Sequence, residues 1–101
     1  MTLETIIEPA EELDPAVRAL LPNYIRRRES DMELIASLVR RGEYKEISTL
    51  AHNIRGSGAA YGYPRLSELG ALIENAVETN DVDSLKVLTA ELDAYIKQMR
   101  P

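Results

Sequence analysis

The sequence predicts an all-α fold, an antiparallel up-down-up-down four-helix bundle with a short N-terminal helical segment. Three observations predict it. Apolar residues recur at intervals of three and four along separate stretches, the period of helices with one buried face. Proline or an N-cap residue opens most of these stretches, and glycine or a short polar turn closes them. The composition is rich in Ala, Leu, Glu and Arg and lacks Trp and Phe, so the core must rest on aliphatic residues and five Tyr.

A chain of 101 residues reads as a single domain over 1–101, with a lead-in at 1–13 and the bundle at about 14–99. Cysteine is absent, which excludes disulfide frameworks, thiolate metal sites and thiol nucleophiles. A formal charge of −5 argues against nucleic acid as a partner, because that needs an electropositive surface. No apolar run has the length of a membrane span, and the N-terminus lacks the basic start of a signal peptide. The expectation is a cytoplasmic protein with no membrane partner. Met1 and the compact length lean towards a stand-alone protein, monomeric because four helices suffice to close a core.

In the lead-in, Leu3, Ile6 and Ile7 can pack as one short amphipathic turn. Asp14-Pro15 supplies an N-cap followed by proline at the first helical position. Pro22 removes a backbone donor and breaks this segment, so a longer helix is predicted from about 22 to 41. Its stripe is Leu21, Tyr24, Ile25, Met32, Ile35, Leu38 and Val39. Arg26-Arg27-Arg28 is mostly a solvated face. Arg28 alone falls in line with the stripe, near Asp31, either as a pair with its stem packed or as a cation meeting a partner. Gly42, after Arg40 and Arg41, suits a left-handed C-cap.

The central helix is predicted from about Glu43 to Tyr61, with Ile47, Ala51, Ile54, Gly58 and Tyr61 as its buried stripe. Gly62-Tyr63-Pro64 ends it and opens the next, from about 64 to 79, whose apolar face is Leu66, Leu69, Leu72, Ile73, Ala76 and Val77. Asn80-Asp81 supplies a turn and N-cap, and Leu85, Leu88, Leu92, Tyr95 and Met99 carry the last helix to about residue 99. Short connections between long helices favour antiparallel neighbours.

His52 is the only histidine. At 100° per residue it lies roughly 140° from the centre of its helix's stripe, so it points to solvent. Lys45, Ser48, Thr49, Arg55, Gly56 and Ala59 share its face. None is acidic and most are small, a local exception in an acidic chain. Each helical glycine costs about 1 kcal/mol relative to alanine. Close packing explains Gly58, which is on the stripe. Gly56 is not on it; one turn beyond His52 and about 40° round the helix, a side chain there would crowd the imidazole. The bland alternative is fraying of the helix towards Gly62.

A surface histidine is ordinarily just that. Here it combines outward direction, small neighbours and a cation three residues on. Imidazoles ordinarily titrate at about 6.5 and are largely neutral, hence nucleophilic, at pH 7. Phosphorylation would add about two negative charges, which Arg55 and, two turns earlier, Lys45 can partly neutralise by charge-assisted hydrogen bonds. Ser48, Thr49 and Ser57 can add hydroxyl donors.

His52-x-x-Arg55-Gly56-Ser57, followed by Gly62, Leu66 and Leu69, resembles the signature of histidine-containing phosphotransfer (HPt) domains. The likeness extends upstream through Leu13-Asp14-Pro15 and Asp31 and downstream into the last helix. It implies a four-helix bundle that is a phosphoryl carrier, not an enzyme with its own kinase or nucleotide site. His52 matches the phosphorylated histidine, which transfers a phosphoryl group at Nε2 between aspartates of receiver domains in a multistep two-component phosphorelay. Arg55 matches a position more often held by Lys, and Gly56 the glycine that leaves the histidine accessible. The implied partners are response-regulator receiver domains and a hybrid sensor kinase, over a face that includes Ser48, Thr49 and Ala59. No cofactor is implied for this chain; the Mg²⁺ belongs to the receiver.

Other chemistries lack their parts. No strand precedes Gly56-Ser57-Gly58, and its spacing fits neither a dinucleotide fingerprint nor a P-loop. A bundle metal site needs inward Glu and His side chains, whereas the one His faces out, so no metal is expected. Nothing around His52 resembles a nucleophile elbow. The alternative function is a non-catalytic helical interaction module that binds receiver domains or other signalling proteins without phosphotransfer.

Overall fold

The computed structural model describes residues 5–101. Five α-helices follow one another: α1 (Pro15–Arg18), α2 (Leu21–Arg41), α3 (Tyr44–Ser57), α4 (Pro64–Glu78) and α5 (Val82–Gln98). The four long helices pack α2 on α3, α3 on α4, α4 on α5 and α5 back on α2. Leu21, Ile35, Leu38, Ile47, Ile54, Leu66, Leu69, Ile73 and Leu92 are fully buried between them. The predicted caps hold. Asp14 accepts from the Ala16 amide at 2.7 Å and Asp81 from the Ser84 amide at 3.1 Å. Gly42 ends α2 at φ +70°, a left-handed geometry that favours glycine.

Three expectations are corrected. α3 stops at Ser57, not at Tyr61. The Ser67 hydroxyl takes the Ala59 amide at 2.8 Å, drawing it off the helical ladder, and the chain turns through Gly62 at φ +90°. Leu72 is 43% exposed. It lies roughly 95° from the centre of the buried α4 stripe, whose close contact is instead Gly70. A Cβ at Gly70 would sit 2.7 Å from the Ala51 carbonyl oxygen and the Arg55 nitrogen of α3. The described part of the lead-in forms no helical turn. Ile6 is exposed, Ile7 makes a parallel bridge to Met99, and Leu3 lies outside the described residues.

The bridge belongs to a clasp over one end of the bundle. The Ile7 amide donates to the Gln98 carbonyl at 2.8 Å and the Arg100 amide to the Ile7 carbonyl at 2.9 Å. Ala10 donates to the Gly62 carbonyl at 2.9 Å, tying the lead-in to the turn after α3. Tyr63, fully buried, donates its hydroxyl to the Arg100 carbonyl at 2.8 Å. No described helix is long and apolar enough to cross a membrane.

Candidate functional site

α3 carries His52 outward, as its position on the helix requires: the side chain is 68% exposed. Buried Ala51 and Ile54 anchor the helix on either side of it. The neighbourhood is not free of acid. Glu74 of α4, 13% exposed, places Oε2 at 3.2 Å from His52 Nδ1 and Oε1 at 3.3 Å from Arg55. The residues on one helix cannot reveal this partner, because it comes from a neighbour. Gly70, one turn before Glu74, brings α4 close enough to α3 for the carboxylate to reach.

This contact has chemical content. A carboxylate accepts, so a neutral His52 facing it carries its proton on Nδ1. Nε2, across the ring, then holds the free lone pair, and it has no hydrogen-bond partner among the described residues.

On the other side of His52 is a depression of about 560 Å³ between α2 and α3, lined by Leu20, Tyr24, Arg27, Arg28 and Tyr61 as well as His52 and Gly56. Tyr24 and Tyr61 stack with ring centroids 4.0 Å apart, and the Arg28 guanidinium lies 4.7 Å from the Tyr24 centroid. Arg28 pairs with Asp31 at 2.9 Å and donates to Ser57 Oγ at 3.2 Å. The packed pair is therefore the correct reading of Arg28. Ser57 is also committed. Its hydroxyl donates to the Asn53 carbonyl at 2.9 Å and lies 2.8 Å from the Tyr24 hydroxyl, so it has no proton left for a phosphoryl oxygen.

The remaining predicted site residues are spread out. Gly56 is exposed, and a Cβ there would meet nothing within 4 Å. A Cβ at this position therefore does not crowd the imidazole, whose Nδ1 faces Glu74 of α4. Thr49 is exposed and Ser48 half-buried on α3. Ala59 is exposed, but past the end of the helix. Lys45 lines a separate depression with Tyr44, Val77 and Leu85. Among the described residues no group of three or more His, Asp or Glu is placed to hold a metal ion.

The family model described as "Hpt domain" matches residues 3–100, essentially the whole chain. The chain belongs to the Hpt domain family. No curated protein and no solved structure gives a significant match. Hpt domains are phosphocarrier modules of two-component phosphorelays rather than kinases, and they interact with receiver domains and kinases. Helical spacing in the sequence placed His52, Arg55 and Gly56 on the exposed side of α3, where the structure has them. It missed Glu74, for which the sequence holds no local signal.

Proposed function

We propose that His52 carries a phosphoryl group between aspartates of receiver domains. The observation that supports this best is the exposed imidazole whose Nδ1 is engaged by Glu74, leaving Nε2 as the nucleophile. In the forward step the Nε2 lone pair forms the N–P bond while the bond from phosphorus to the donor aspartate oxygen breaks. That electron pair leaves with the carboxylate. No proton need move: the ring keeps Nδ1–H and becomes cationic, and Glu74 compensates that charge. In the return step an acceptor aspartate attacks phosphorus and the N–P pair goes back to Nε2. Such transfer depends chiefly on positioning and electrostatics.

Arg55 supplies positive charge beside the ring, and Lys45 a more distant one. Gly56 keeps the approach open, and Ser48, Thr49 and Ala59 contribute to the docking face. The Mg²⁺ is the receiver's, and a hybrid sensor kinase stands upstream. In this reading the chain is a single cytoplasmic domain, monomeric, with its long helices running up-down-up-down. The two residues between α2 and α3 and the three between α4 and α5 favour that arrangement.

The test is intact mass under non-acidic conditions after mixing with a panel of phosphorylated receiver domains. Wild type should gain one phosphoryl group and His52→Gln none, with the fold of the variant intact because the site is exposed. Labelling of His52→Gln would sink the assignment. Binding without labelling, persisting in His52→Ala, would make the chain an interaction module instead.

A further inference from the structure

A phosphoryl group on Nε2 brings about two negative charges to a site whose nearest charges already cancel. Arg55 is held by the Glu74 carboxylate at 3.3 Å. Lys45 is about 10 Å further down the helix axis and lines a different depression. The depression beside His52 contains two guanidinium groups, Arg27 and Arg28, and no carboxylate. Arg28 is immobilised by Asp31, Ser57 and the Tyr24 ring. Its neighbour Arg26 donates to the Asn23 side chain. Arg27 is exposed and has no ion-pair partner among the described residues. Leu20 at the N-cap of α2 and Asn23 and Arg27 within it fall on one strip at spacings of three and four, and all three line the depression with His52.

We propose that Arg27 is a second cation for the phosphoryl group carried at His52, reaching across the depression from α2; this rests on the carrier reading above. Its planar fork donates two N–H groups to phosphoryl oxygens, a geometry that lysine cannot reproduce. The N–P bond forms and the P–O bond to the donor aspartate breaks as before. Arg27 offsets the charge that the equatorial oxygens carry throughout. Arg55 is then shared between Glu74 and the phosphoryl group, whereas Arg27 is committed to the phosphoryl group alone.

The test uses phosphoramidate, which needs no partner protein. The Nε2 lone pair attacks its phosphorus, the P–N bond breaks and the amine leaves as ammonia. Wild type, Arg27→Ala, Arg27→Lys, Lys45→Ala and the distant Arg40→Ala are labelled, and the phosphoryl group is titrated by ³¹P NMR. A nearby cation favours the dianion, so Arg27→Ala should titrate at a pH about 0.5 higher than wild type. Arg27→Lys should recover part of this shift, and Arg40→Ala should match wild type. A cation that only meets the receiver, or only supports the fold, would not move this midpoint in the isolated domain. Coincident titrations of Arg27→Ala and wild type overturn the proposal, as does a shift in Lys45→Ala alone. A wild type that takes phosphoryl from phosphoramidate but from no receiver removes the relay reading, while the titration still judges Arg27. Failure of phosphoramidate to label His52 removes both.

Discussion

At the scale of residues, one carboxylate serves two groups: Glu74 reaches His52 Nδ1 at 3.2 Å and Arg55 at 3.3 Å. Towards the imidazole it fixes the tautomer, and in the proposed carrier role it would compensate the cationic ring of a phosphorylated His52. Towards the guanidinium it sets position at the expense of free charge. The His52 and Arg55 ends of these contacts are exposed, so the pairs contribute little to stability and their effect should appear in the chemistry. Glu74→Ala should therefore unfold at nearly the wild-type temperature but accept phosphoryl roughly tenfold more slowly, as when other orienting partners of histidine are lost. Glu74→Gln retains an acceptor for Nδ1–H and should lose less. ¹⁵N NMR of the histidine ring gives the direct check. A wild-type spectrum showing the proton on Nε2 would remove Glu74 from this role.

At the scale of helices, Gly56 and Gly70 have opposite reasons. Gly56 lies within α3 with open space around it, so nothing in this fold requires it. Alanine there should stabilise the domain by about 1 kcal/mol, raising Tm by roughly 5 °C. It should also slow transfer from a receiver whose backbone approaches that surface. A stabilised variant with unchanged transfer would mean that Gly56 has no part in access. Gly70 is a point of close approach of α4 to α3, and the atoms a Cβ there would meet are backbone, which cannot swing aside. Gly70→Ala should cost about 3 kcal/mol, at the upper end for overpacking. It should also push Glu74 away from His52, so transfer should fall further than in a destabilised variant elsewhere in the core. Thermal unfolding and transfer rates on the same pair of variants separate these effects.

At the scale of the whole molecule, the clasp links the lead-in, the turn after α3 and the end of α5, with Tyr63 at its centre. Burial, with a smaller contribution from Tyr95, pushes the Tyr63 hydroxyl up to about 12. The unfolded chain releases that proton near the ordinary value of about 10, so between these values the unfolded state binds fewer protons. Stability should fall with rising pH across that window, by up to about 1.4 kcal/mol per pH unit from this group. Tyr63→Phe, although weakened by loss of the bond to Arg100, should show a shallower decline from pH 10 to 12 in urea unfolding. Equal slopes in the two proteins would place the alkaline sensitivity elsewhere.

By itself the sequence determined where the helices lie, how most of them are capped and that His52 faces outward, because a residue's angle round its own helix follows from the helical period alone. It also offered the pairing of Arg28 with Asp31, three residues apart on one helix, as one of two readings, and the structure has that pair. Only the tertiary structure decided what meets His52. Glu74 is 22 residues away in the chain, and its arrival depends on Gly70 setting the distance between two helices. Likewise the end of α3 depends on Ser67, and the exposure of Leu72 on which strip of α4 contacts its neighbours. Periodicity fixes directions about one axis; the distance and rotation between axes come from side chains packing against each other, and a charge site built across two helices inherits both.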